Sequence, residues 1–317
     1  MRRIVLCLLP LSLGCAEDPT IKVAPIEGCP TTTGPWATVS TGMHETCGLL
    51  ESGALVCWGT GECPDCSVHA PLNFLTHIEW PTDGTYAQIS AAYLHMCALT
   101  TEGEASCWGL DDQGQSTVPE GVRFQQIEAG EYHTCGILAD DQSVICWGSD
   151  SLGQASPPEG SFVDIELGWD HTCGLKNDGT IACWGDPTDD KNIPPEGVYR
   201  EMRVGWNHAC AIDEADALTC WGSSPEGSTR VPEGYTWRAV AAGDDHTCAI
   251  TTDGEILCWG ASDRGQGNVI PGDHWVQIDA GWQHNCVIDE DGWLGCFGWN
   301  ESEQASVPDV PSATHTD

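Results

Sequence analysis

Fourteen of the 19 cysteines fall into seven pairs: Cys47 and Cys57, Cys97 and Cys107, Cys135 and Cys146, Cys173 and Cys183, Cys210 and Cys220, Cys248 and Cys258, and Cys286 and Cys296. Paired thiols can bind a metal, exchange electrons or cross-link the chain. Two cysteines per copy, spread evenly along the sequence, cannot gather four ligands around one zinc ion. Thiols in this number suit an oxidising compartment, where they form disulfides. Six histidines hold one place, two residues before the first cysteine of a pair: His95, His133, His171, His208, His246 and His284. Catalysis needs one asymmetric constellation, so a group present in nearly every copy answers first to the structure of the copy. These imidazoles are expected to anchor each strand start against the neighbouring unit by a hydrogen bond. A ring of metal ligands or bases is the alternative.

Three features break the symmetry. An insertion over residues 60–85 carries Cys63-Pro-Asp-Cys66, His69, His77 and Trp80. Cys-x-x-Cys with two histidines nearby can hold zinc, but the spacing lacks a strong finger pattern, and a disulfide is the expectation in an oxidising compartment. With Cys29 as a third thiol, the pairing of Cys29, Cys63 and Cys66 stays open, and no metal or cofactor is assigned. The second feature is the residue that follows a recurring glycine (an alanine in the second copy): Met43, Tyr93, Glu131, Trp169, Trp206, Asp244 and Trp282. The next position adds Asp170, Asn207, Asp245 and Gln283. Aromatic rings beside acids and amides at equivalent positions suit recognition of a protein, peptide or sugar. Trp169, Trp206, Trp282, Tyr93, Asp170 and Asp245 are therefore the candidate binding residues; the alternative is that these rings pack between loops. The third feature is the acidic run Asp289-Glu290-Asp291-Gly292, which reads as a solvated turn because it lacks the longer ligand ladder of a calcium loop.

The elements that must position these groups are short strands. Each copy opens on an aromatic, at Trp36, Tyr86, Phe124, Phe162, Tyr199, Trp237 and Trp275, and closes on Cys-Trp-Gly, with Phe297 in place of the tryptophan in the last. Alternating segments are separated by Gly, Pro and Asp turns, and no stretch keeps a helical period. In the fourth copy, Asn177-Asp178-Gly179 predicts a three-residue hairpin loop that sets Cys173 directly opposite Cys183, within reach of a disulfide. The third copy has one more residue between its cysteines and a four-residue loop, Ala139 to Gln142. Loop length and cysteine spacing change together, as a paired hairpin requires. Seven disulfides, each within one hairpin, follow.

The order Gly243-Asp-Asp-His246-Thr-Cys248, Asp253-Gly254, Cys258-Trp259-Gly260 and Gly265-Gln266 resembles the regulator of chromosome condensation repeat family. The resemblance spans residues 36–308 and implies an all-β, seven-bladed propeller of about 38-residue repeats with four strands per blade. It departs at Glu45, where other copies have His, at Phe297, and in copies one, four and five, which lack Gly-Gln. The ring is expected to close between Val307-Pro308 and the strand at Trp36.

Arg2 and Arg3, the apolar run Ile4 to Leu13 and Gly14-Cys15 read as a signal peptide over residues 1–15. Leu11-Ser12-Leu13-Gly14-Cys15 resembles a bacterial lipoprotein cleavage site, although Ser12 stands where leucine is usual. Lipidation of Cys15 and anchoring in the cell envelope are expected; plain secretion after cleavage near Ala16 is the alternative. A flexible tether over 16–35, the propeller over 36–308 and a tail over 309–317 complete the organisation. The net charge of −37 repels phosphate backbones and excludes nucleic acid as an expected partner. The membrane is met only through the lipid. With no Gly-x-Ser-x-Gly, His-Glu-x-x-His or phosphate loop, no catalytic residue is assigned. The expected function is a monomeric, secreted or surface-tethered module that binds an envelope or extracellular protein or glycan, not a nucleotide-exchange factor and not an enzyme. A polysaccharide- or peptide-processing enzyme on the propeller face, or a purely structural envelope protein, are the alternatives.

Overall fold

Each blade is built from hairpins whose strands are neighbours in the chain. In the fourth copy an inner strand, Phe162–Leu167, a middle strand, His171–Lys176, and an outer strand, Ile181–Gly185, pair antiparallel in that order. Gly179 takes φ +79° at the end of the turn, a left-handed conformation that glycine adopts without steric cost. Cys173 faces Cys183 across the ladder and is bonded to it. In the third copy Gln142 takes the positive φ, and Cys135 still faces Cys146. All seven pairs form disulfides, with Cα atoms 4.0–4.1 Å apart. That is shorter than the roughly 4.5–5.5 Å of unlinked opposed residues.

The computed structural model describes residues 34–59, 85–272 and 274–308. Cys15, Cys29, Cys63, Cys66, His69, His77 and Trp80 lie outside the described residues. Within them the chain forms seven three-stranded sheets, one per repeat, arranged as a seven-bladed propeller. The family pattern implied four strands. The fourth segment instead runs as turns and unpaired chain through Val118-Pro119, Pro157-Pro158, Pro194-Pro195 and Val231-Pro232. Proline has no N–H to give a ladder, which disfavours a further strand there.

The inner strands are Trp36–Thr41, Tyr86–Ala91, Phe124–Ala129, Phe162–Leu167, Tyr199–Val204, Trp237–Ala242 and Trp275–Ala280. Each touches the next, and the last returns to the first. In every one the register slips just after the leading aromatic. This bulge re-phases the alternation: in Phe162–Leu167, Phe162 and Ile165 are both buried although three apart. Asp164 and Glu166 are thereby turned to the central channel.

Blades hold together through apolar seams and a clasp. Cys173 and Leu175 of blade four, for example, pack with Tyr199, Met202 and Trp221 of blade five. At the closing seam Trp36, Val39 and Leu50 pack with Ile288 and Leu294, and Val307 lies against this cluster. The clasp explains the recurring histidine. Nε2 of His95, His133, His208 and His284 lies 2.8 Å from the hydroxyl of Thr134, Thr172, Thr247 and Thr46 on the next blade. Each threonine spends its single proton on a backbone carbonyl, that of Gln115, Gln154, Ser228 or Gln304. The imidazole must therefore donate from Nε2, which makes it the neutral Nε2–H tautomer. His246 makes the same bond to Asn285. The tryptophans of Cys-Trp-Gly are seam residues. Trp58, Trp147, Trp184 and Trp259 donate Nε1–H to those same four carbonyls. Trp184 and Trp221 are buried, while the others are half-buried.

Two seams lack the clasp: between blades one and two Glu45 and Met96 take the places of histidine and threonine, and between blades four and five the histidine has lost its partner. Ala209 stands where threonine would meet His171, and neither ring nitrogen of His171 has a hydrogen-bond partner. The Lys191 carbonyl already accepts from Trp221 Nε1–H, as its counterparts do from their tryptophans. Ala209→Thr is therefore expected to bridge His171 and Lys191 and to stabilise by about 1 kcal/mol. Thermal unfolding should show Tm higher by about 2–4 °C; an unchanged or lower Tm would refute the clasp's energetic role.

Candidate binding site at the channel mouth

Each inner strand ends at the mouth of the channel, where the blades approach closely. A Cβ on Gly168 would stand 2.5 Å from the Gly205 carbonyl, so only glycine fits this crossing. The following residues are fixed by bonds between blades: Trp169 N–H donates to Trp206 O, Trp206 N–H to Gly243 O, Met43 N–H to Ala92 O and Trp282 N–H to Gly42 O. The backbone thus aims these side chains over the channel as a rigid set.

Four of the six candidate residues meet there. The Trp206 ring lies 4.9 Å from Trp169, 6.0 Å from Tyr93 and 5.9 Å from Trp282, the last stacked at 20°. They come from blades two, four, five and seven, so the cluster spans the opening. Trp169 is the most open, at 36% exposure. Trp282 is held by its Nε1–H, which donates to Asp244 Oδ2 at 2.7 Å. Burial, followed by the charge of Asp245, raises the Asp244 pKa to about 6. Asp170 and Asp245 do not join the rings. Asp245 lines an adjoining cleft with Glu226 and Asp263, and Trp282 forms part of its wall. Asp170 faces Lys191 and Asp186, and burial raises its pKa. Met43 and Glu131 are buried beside the cluster.

Beneath the rings the channel wall is acidic. Asp164 and Glu166, Glu201, Glu128 and Asp279 face one cation, Arg203, whose Nη1 lies 3.3 Å from Glu166 Oε1 and 3.8 Å from Asp164 Oδ2. A third of the Arg203 side chain stays open to the channel, so water screens these pairs and each contributes on the order of 1 kcal/mol or less. Glu128 accepts from Gln88 Nε2 and from Ser90 Oγ, both at 2.6 Å. Asp279 accepts from the backbone and hydroxyl of Thr41. Burial pushes the Glu128 pKa up to about 8 against the Ser90 hydrogen bond, and raises Asp279 as well. Burial first, then the neighbouring carboxylates of Glu128, Asp164 and Asp279, drive Glu166 well above the usual range, although Arg203 opposes this. Burial works against the Arg203 charge, yet the carboxylates around it raise its pKa.

Sequence reading found the rings and missed the channel acids. Their signal lies two and four residues after each leading aromatic, as in Asp164 and Glu166 after Phe162. It becomes legible only once the bulge is known, since a regular strand would place the aromatic and both acids on one face. Among the described residues no three carboxylate, imidazole or thiol groups stand together as metal ligands.

The sequence profile described as the Regulator of chromosome condensation (RCC1) repeat matches residues 86–115, 124–154, 162–190, 237–266 and 275–304, five of the seven copies. Among solved structures, the ectodomain of the Physcomitrella patens receptor kinase CR4 superposes with a TM-score of 0.67 at 22% identity, covering 84% of this chain and 74% of that one. The CRINKLY WD40 ectodomain of the Arabidopsis thaliana receptor kinase ACR4 gives 0.65 at 23%, covering 87% and 99%. Prp20p from Saccharomyces cerevisiae, described with its binding to Gsp1p and histones, gives 0.62 at 16%, covering 88% and 84%. At these identities the likeness establishes the fold alone. No curated protein sequence matches the chain.

Proposed function

We propose, for a chain that belongs to the regulator of chromosome condensation repeat family, that it is an exported protein-binding module whose partner docks on the channel mouth. The observation that carries this reading is the contiguous cluster of Tyr93, Trp169, Trp206 and Trp282 over one opening, its three tryptophans held by backbone bonds between blades. Contiguous aromatic surface marks interfaces, and rigid rings bury much area at little entropic cost. Binding rather than catalysis is supported by Ser90, the serine that touches a channel carboxylate. It donates to Glu128 and accepts from Ala129 N–H, so its hydroxyl is committed to structure. The net charge of −37 favours a basic protein over nucleic acid. The neighbours' ectodomain context and the seven disulfides support export.

Trp169→Ala is the sharpest test, because this ring is open while Trp206 touches three others. Capture of envelope proteins by the immobilised full chain should fall at least tenfold, with Tm within about 2 °C of the parent; such a loss corresponds to 1.4 kcal/mol or more. Full capture by a folded Trp169→Ala, Trp206→Ala and Trp282→Ala set would rule out this face. Attachment through a lipidated Cys15 is part of the proposal: Cys15→Ser should move the protein from the membrane fraction to the soluble one. A variant that still sediments after a high-salt wash would exclude that anchor.

A further inference from the structure

The cavity beneath the aromatic cluster encloses about 110 Å³, the share of three to four waters. Glu128, Glu166 and Asp279, from blades three, four and seven, line it, and Tyr93, Trp169 and Trp206 stand at its mouth. Glu131 sits among these rings at 6% exposure, and its Oε2 meets no hydrogen-bond donor. A buried carboxylate oxygen without a donor is costly, and a channel with five carboxylates to one guanidinium lacks positive charge. Aromatic faces attract cations through their quadrupole, most strongly where water is excluded.

Resting on the reading that the mouth is the docking face, we propose that this cavity receives the ammonium group of a lysine side chain presented by the partner protein. The choice of lysine follows from the shape of the acceptors. Three carboxylates reach in from three blades, which matches the divergent donors of an ammonium; a planar guanidinium prefers one carboxylate taken in parallel. Burial is the first cause of the raised pKa of Glu128 and of Glu131, both about 8, and at Glu128 it prevails although Arg203 opposes it.

The test is calorimetric and fluorescence titration of the full chain with Nα-acetyl-lysine N-methylamide, with the norleucine analogue and calcium chloride as comparisons. The lysine compound should saturate, perturb tryptophan emission and bind at least tenfold tighter than norleucine. Glu166→Gln, which leaves Arg203 beside Asp164 and Glu201, should cost tenfold or more in lysine affinity and in partner capture. Should that variant not fold, Glu131→Gln replaces it, since Oε2 bonds nothing within the protein. Equal binding of norleucine, saturation by calcium in place of lysine, or unchanged affinity in a folded variant would overturn the proposal. If Trp169→Ala abolishes capture while lysine shows no preference, the docking face stands and the lysine pocket falls. If Trp169→Ala leaves capture intact, the docking face itself fails.

Discussion

Reduction of the blade disulfides is expected to unfold the whole ring rather than loosen single blades. Each bridge closes a hairpin of about 11 residues and removes unfolded-state entropy equivalent to roughly 2.5–3 kcal/mol. The first cysteine of every pair is fully buried, and all seven sit in the apolar seams between blades. A blade that opens therefore exposes its neighbour's core. Total stabilities of natural domains are only about 5–15 kcal/mol, so losing several such bridges exceeds the margin. Thiol reductant alone should act slowly, because the inner sulfurs are shielded. With mild denaturant, all seven should be lost together with the sheet circular dichroism signal. The double variant Cys173→Ala, Cys183→Ala should lower Tm by several degrees. Sequential loss of single bridges with the sheet signal retained would show that blades are independent.

The second large effect is a stability maximum on the acid side of neutrality, near pH 5–6.5. Burial holds the seam imidazoles neutral: the pKa falls from 6.5 to about 3 for His133, His171, His208 and His284, and to about 4 for His95 and His246. In all but His171 the Nε2–H is already committed, and a second proton on Nδ1 would find no acceptor at His95, His133, His246 or His284. Below pH 6.5 the unfolded chain takes up protons that the folded chain refuses, so stability falls as pH drops, by up to about 1.4 kcal/mol per unit and group. The buried acids act in the opposite direction. Burial raises Glu45 and Glu131 from 4.5 to about 8, and the Glu45 Oε1 has no donor. A carboxylate whose folded pKa is raised contributes stability fully below its unfolded value and loses it as pH rises through the folded one. Between pH 4.5 and 6.5 the two sets offset each other; below 4.5 the raised acids are protonated in both states, while the six seam histidines, His44 with its pKa of about 4 and Asp186 with its pKa of about 2 all favour the unfolded chain as pH falls. Acid unfolding should therefore be steep below about pH 4.5, with a gentler decline from pH 6.5 to 8. Glu45→Gln should flatten that alkaline decline and leave the acid limb unchanged. A melting temperature that rises steadily from pH 5 to pH 8 would contradict this assignment.

The blade was legible in the sequence because it is local. A three-residue turn ending at Gly179 fixes the register of its hairpin, and that register alone brings Cys173 to Cys183. The seven leading aromatics, evenly spaced after the insertion, gave the number of blades, since one such unit cannot bury its own apolar face. The equivalence of Tyr93, Trp169, Trp206 and Trp282 was likewise visible, as each follows the glycine, or Ala92, that comes after its inner strand. What could not be read was which of these rings would touch. Tyr93 and Trp282 come from opposite ends of the chain and meet on either side of Trp206 only because the ring closes at a fixed diameter. The same closure decides that Glu128, Glu166 and Asp279 share one cavity, that His284 clasps Thr46, and that His171 meets alanine. Local rules set what each blade is; distances across the channel depend on how all seven pack at once, and no short stretch of sequence encodes them.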